Sequence, residues 1–129
     1  MSILDENISV SQRQLLRGGH IAVRHRGHDI GEPGMKDQEF IPFLHRLRHP
    51  TFFTRDLGFN ARHLAHAGCC LVYLAVAKDE VAIFVRRLLR HQDFATQTKR
   101  MGTAIRVSHA GLSVWRLHAE KEMHFAWDR

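Results

Sequence analysis

Three short stretches of this chain carry residue types that could do chemistry. "ILDENIS" sets Asp5, Glu6 and Asn7 directly after the apolar pair Ile3-Leu4. "MKDQEFI" sets Asp37 and Glu39 at the start of an apolar run, and "FFTRDLGF" sets Arg55 and Asp56 after Phe52-Phe53. Carboxylates held together repel one another unless a cation or a proton offsets them. Hard oxygen ligands gathered at one spot suit Mg²⁺ or Mn²⁺. One or two such ions can orient water and stabilise an in-line displacement at phosphate. Yet the chain as a whole is basic, with 19 Lys and Arg against 13 Asp and Glu, a net charge of +6, and 11 His. An acidic pocket in a basic surface is the arrangement a metal-dependent nuclease acting on a polyanion would want.

The elements that must position these acids follow from hydrophobic pattern. A short strand over residues 2–4 precedes a helix that stops at Gly18-Gly19. "HIAVRHRG" alternates as a second strand. After a Gly- and Pro-containing loop, Asp37 reads as the N-cap of "DQEFIPFLHRLR", with Pro42 tolerated close to the helix start. "TFFT" is a third strand. "FNARHLAHAG" reads as a short helix capped by Asn60 and ended by Gly68. "CCLVYLAV" is apolar without alternation, the mark of a strand covered on both faces. Asp79 then caps "EVAIFVRRLLR", in which Val81, Phe84, Val85, Leu88 and Leu89 keep helical spacing. From residue 101 two alternating runs flank His109-Ala110-Gly111 as an antiparallel hairpin. Phe125 and Trp127 suggest that the last residues pack rather than fray.

This β-α-β-α-β-α-β-α order, followed by a hairpin, implies a three-layer α/β sandwich with a mainly parallel central sheet. All 129 residues form one domain, with a core over about residues 1–92 and a hairpin and tail over about 101–129. In such sheets, sites form beyond the C-terminal strand ends where the strand order switches. The acids of the first and third strands fall there. No apolar run approaches the roughly 20 residues needed to span a bilayer, and no basic segment precedes an apolar one at the start. The expectation is a cytoplasmic protein with no membrane partner. Cys69 and Cys70 are neighbours in an apolar strand and read as reduced core residues.

Simpler roles compete for several residues. Asp37 could serve only as a helix cap and Glu39 only as a favourable charge at a helix start. Asp56 could be half of a surface ion pair with Arg55. His63 and His66, at i and i+3, lack further ligands at a suitable spacing for zinc. His25 or His28 could act as a general base, although His20, His25 and His28 do not obviously converge on a strand.

The ordered set "ILDENIS", "MKDQEFI" and "FFTRDLGF", spread over roughly residues 1–90, resembles the PIN-like superfamily. It is most similar to the small PIN-like domains associated with toxin–antitoxin loci. Those typically read D-E-N near the start, D-x-E-[IL] before a helix and T-R-D-x-D-F after a strand. The resemblance implies a parallel sheet with helices on both faces. It further implies an acidic cluster that binds Mg or Mn and cleaves RNA, often within a toxin held by an antitoxin protein. Carried over by position, Asp5 is the first ligand, Asp37 the second with Glu39 in reserve, and Asp56 the third. Glu6 is a neighbouring acid, and Arg55 contacts substrate phosphate or orders its loop. Arg24 and Arg26 could help to hold the RNA strand. One departure stands out: the second acid of T-R-D-x-D-F falls on Gly58, and the nearest oxygen ligand is Asn60. That departure motivates a second reading, a catalytically weak or inactive nucleic-acid-binding or regulatory module. The outer strand of the hairpin could also pair two copies as a homodimer.

Overall fold

A computed structural model describes residues 1–60 and 62–127. Seven strands form one sheet in the order β2-β1-β3-β4-β5-β6-β7. They are β1 (Ser2–Leu4), β2 (Arg24–His25), β3 (Thr51–Thr54), β4 (Cys70–Leu74), β5 (Thr103–Ser108), β6 (Gly111–Arg116) and β7 (Met123–Phe125). The pairings from β2 through β5 are parallel. Those of β5 with β6 and of β6 with β7 are antiparallel. The mostly parallel α/β character expected from the alternating pattern is observed. The order 2-1-3-4-5 reverses between β1 and β3, which defines the switch point of the sheet.

Alternation along the central strands feeds two cores. Leu4, Phe53, Cys70 and Val72 pack on one face with Leu16 of α1 (Val10–Gly18) and with Val81, Phe84, Val85 and Leu88 of α3 (Val81–Arg90). Ile3, Phe52 and Leu71 pack on the other with Phe40 and Leu44 of α2 (Asp37–His45). Neighbouring strand residues point to opposite faces, so "TFFT" must be apolar on both and is buried throughout. A short α4 (Gln97–Arg100) leads into β5.

The two helices on the first face are tied by one buried polar contact. Ser9 caps α1 by accepting from the Gln12 amide at 3.3 Å. The Gln12 side chain then accepts from the Ala82 amide at 2.8 Å, satisfying an orphan donor in the first turn of α3. Gln12→Ala leaves that amide buried without a partner. The expected loss is about 1–3 kcal/mol in urea unfolding; a change below 0.5 kcal/mol (about one third of a tenfold shift) would mean that water replaces the side chain.

Local elements depart from the sequence reading in four places. "HIAVRHRG" keeps only two strand residues, because His20 and Gly27 adopt positive φ (66° and 81°) and turn the chain at either side. Lys36, not Asp37, is the N-cap of α2, and Pro42 falls in the second turn. The missing Pro42 amide is offset by the burial of Phe40 and Leu44 on that helix. The segment read as one helix over residues 59–68 is instead two 3₁₀ turns, Leu57–Phe59 and Arg62–Leu64, with Asn60 closing the first; Gly58 and Asn60 are poor helix formers. Asp79 lies inside a 3₁₀ turn before α3, and Glu80 accepts from the Ala77 amide at 2.9 Å instead.

At the far edge, β7 pairs with β6, so the outer strand of the antiparallel pair is not free. Phe125 and Trp127 pack against the first core, and Trp127 Nε1 donates to the Ser108 carbonyl at 2.7 Å. Among the described residues the sheet ends in β2 and β7, two and three residues long.

Candidate active site at the switch point

Asp5 follows β1 and Asp56 follows β3, the two strands that flank the switch in order. Asp5, Glu6, Asn7, Arg26, Gly34, Met35, Asp37 and Asp56 line a cleft of about 260 Å³. An adjoining hollow of about 210 Å³ shares Asp5, Asn7 and Asp56 and adds Ile8 and Arg55. Four carboxylates and two guanidinium groups therefore surround one space, leaving an excess of negative charge inside a basic chain.

Asp5 is the anchor. Its side chain is only 10% exposed. Oδ1 accepts from the Glu6 amide at 2.7 Å and from Arg26 Nη1 at 3.2 Å. Oδ2 accepts from Thr54 Oγ1 at 2.5 Å. Thr54 in turn accepts from the Asp56 amide at 3.0 Å, so one hydroxyl at the end of β3 couples both acids. Thr54→Val removes both bonds and is expected to cost about 1–3 kcal/mol of stability. Urea unfolding of that variant, with Thr54→Ser largely restoring the wild-type midpoint, checks it.

Arg26 lies where a cation would be needed. Its side chain is 5% exposed, and Nη1 donates at 3.2 Å to both Asp5 and Asp37. Nη2 donates to the Met35 carbonyl. The guanidinium sits 4.0 Å over the buried Phe40 ring, a cation–π arrangement. Its backbone amide donates to the Leu4 carbonyl at 2.8 Å, which holds the residue beside β1. Only Nε lacks a partner among the described residues. Arg26 is thus a buried counter-ion of two site acids, rather than an open strand-holding residue.

The remaining acids are looser. Asp37 is 52% exposed and makes no helix-capping bond; its Oδ1 goes to Arg26. Asp56 is exposed and caps the first 3₁₀ turn by accepting from the Gly58 amide at 2.9 Å. Glu6 accepts from the Gly34 amide at 3.2 Å with both oxygens. At residue 58, where the resemblance asks for an acid, backbone therefore supplies a donor to Asp56 instead. A Cβ there would lie 3.2 Å from Asp56 Oδ1.

Three expected site residues do not join the cleft. Glu39 is exposed on α2 and lines neither hollow. Asn60 follows the 3₁₀ turn and lines neither. Arg24 lines a separate cleft with Met1, Ser2, Arg17, Ala22 and Val23. Arg55 does line the smaller hollow, with Nε donating to the Val76 carbonyl at 3.0 Å. Comparison with protein-family models, with curated proteins and with solved structures finds no match to this chain.

The donor set suits a hard divalent cation: all the free ligand atoms at Asp5, Asp56, Asp37 and Asn7 are oxygens if Asn7 presents its carbonyl. Asp56 Oδ2 and Asp37 Oδ2 have no bond among the described residues. Asp5, in contrast, already spends three acceptor positions on protein donors.

Behind the cleft, His28 stacks on His25 with ring centroids 4.3 Å apart, so these two histidines do converge through the turn at Gly27. His25 Nδ1 lies 3.1 Å from Arg13 Nη1 and accepts from it. Burial, then His28 and Arg13, hold the His25 imidazole below its ordinary value. Burial and His66 do the same for His45. For both, the unfolded chain binds protons that the folded chain refuses, so stability is present above the ordinary histidine range and is lost as pH falls through it. The urea midpoint should therefore drop between about pH 7.5 and 5.5, and less steeply in His25→Asn. An unchanged slope in that variant would remove His25 as a cause.

Proposed function

We propose that the switch-point cleft is the site of a metal-dependent ribonuclease of PIN-like type, the toxin of a toxin–antitoxin pair working in the cytoplasm. The single observation that supports it most is the meeting of Asp5, Asp37 and Asp56 in one cleft from three separate stretches of chain. In this reading Asp5, Asp37 and Asp56 hold Mg²⁺ or Mn²⁺, which when bound supplies an activated water and neutralises charge at phosphate. Thr54, the Glu6 amide and Arg26 fix the orientation of Asp5. Arg55, exposed at the rim and tethered through Nε, contacts the RNA backbone. The basic surface raises the local concentration of a polyanion. Arg24 has no part in it, since it lines a different cleft.

The test is cleavage of single-stranded RNA with Mn²⁺ by the wild type and by Asp56→Asn. Equal activity in the two preparations would indicate a contaminant and sink the proposal. A second reading, a nucleic-acid-binding or regulatory module without catalysis, is favoured by Arg26, which already neutralises Asp5 and Asp37, and by Gly58. Calorimetry separates them: absence of Mn²⁺ binding at millimolar concentration supports the module.

A further inference from the structure

We propose that His45, His66 and Cys69 form a second, unrelated metal site that takes Zn²⁺, at the end of the sheet opposite the acidic cleft. His45 is the last residue of α2, and Cys69 immediately precedes β4. Asp5 and Asp56 follow the C-terminal ends of strands parallel to β4, so the two sites lie at opposite ends. One ligand atom from each of the three residues lies within 4.8 Å of the others. Two imidazoles and a thiol are the donors that borderline-soft Zn²⁺ prefers, and they differ in kind from the carboxylates of the other site.

Simple packing is a poor account of this cluster. His45 Nε2 is buried and has no partner among the described residues. A packing histidine normally satisfies such an atom. The rings of His45 and His66 stack face to face, 3.8 Å between centroids and 13° apart in plane. His66 is held there by its own backbone turn: its carbonyl accepts from the Cys69 amide at 3.2 Å, and its Nδ1 accepts from the Gly68 amide at 3.1 Å. Tetrahedral bonds of about 2.0–2.3 Å set ligand atoms about 3.3–3.6 Å apart. Binding therefore needs a small inward rotation and a tilt of the two rings out of the stack.

The protonation states are compatible with that step. Burial pushes the Cys69 thiol up to about 11, so the proton stays on until the metal displaces it to solvent. His45 is held toward its neutral, ligating form. Three protein ligands leave a fourth position for water, as in open zinc sites. The neighbouring Cys70 is not a ligand: it lies in the core on the other face and accepts from Thr103 Oγ1 at 3.2 Å.

Cobalt(II) titration of the reduced full chain tests this, with Zn²⁺ as competitor. The expected result is a thiolate-to-cobalt charge-transfer band that saturates at one equivalent and is displaced by Zn²⁺. Cys69→Ser should lose the band. His66→Ala, outside any helix or strand, should lower cobalt affinity by at least about tenfold while keeping the wild-type circular dichroism. Absence of the band overturns the proposal, as does its survival in Cys69→Ser or an unchanged affinity in His66→Ala.

Discussion

Arg26→Met is expected to destabilise the folded chain by about 3–5 kcal/mol at neutral pH, the usual loss when one member of a buried ion pair is removed. The reason is what remains. Asp5 stays where it is, its side chain 10% exposed, with the Glu6 amide and Thr54 hydroxyl as its remaining donors among the described residues. Methionine replaces the aliphatic stem but brings no charge, so the guanidinium over Phe40 is lost as well. The partner substitution gives the sharper measurement. Asp5→Asn placed in the Arg26→Met background should recover a large part of the loss, because the buried charge has gone with its counter-ion. Urea unfolding of the four proteins yields the coupling energy. A single-variant loss below about 1 kcal/mol, in the range of exposed pairs, would mean that water or a solvent cation reaches Asp5 freely.

Asp56→Asn should separate chemistry from stability. In the proposed reading Asp56 holds the cation that stabilises transition-state charge; losing such stabilisation typically costs about 10²–10³ in rate, and a loss of that size is expected in single-turnover RNA cleavage with Mn²⁺. The unfolding midpoint should barely move, since asparagine accepts from the Gly58 amide as aspartate does, and the two cap helical turns almost equally well. Asp56 is exposed, so no buried charge is created or lost. A parallel fall of rate and stability would point to a structural role. A rate loss without loss of Mn²⁺ affinity would move the cation away from Asp56.

Much of the site was legible because its residues are marked locally. Continuous apolar runs such as Phe52-Phe53 and Leu71-Val72 announce strands covered on both faces, and an acid directly after such a run sits at a strand end. That is why Asp5 and Asp56 meet the cleft as expected. Thr54 carried the weaker signal of a hydroxyl closing a buried strand, and its tie to both acids was missed. Asp37 carries the local mark of a cap, an aspartate before an apolar run, as well as of a ligand; Lys36 takes the cap position, and the carboxylate turns to Arg26 in the cleft.

The sequence by itself determined the alternation of strands and helices, the two-faced burial of the central strands and the strand-end acids. Each of these rests on side-chain period or on neighbours within a few residues. Tertiary structure alone decided the partners. Arg26 reaches Asp5 across 21 positions because β2 lies beside β1, and His45 meets His66 across the same distance because α2 returns over the sheet. It also decided how much of "HIAVRHRG" and of residues 59–68 became regular, since turns at His20 and Gly27 and the burial of Phe59 outweighed local preference. Contacts of that reach depend on strand order, and no local pattern encodes strand order.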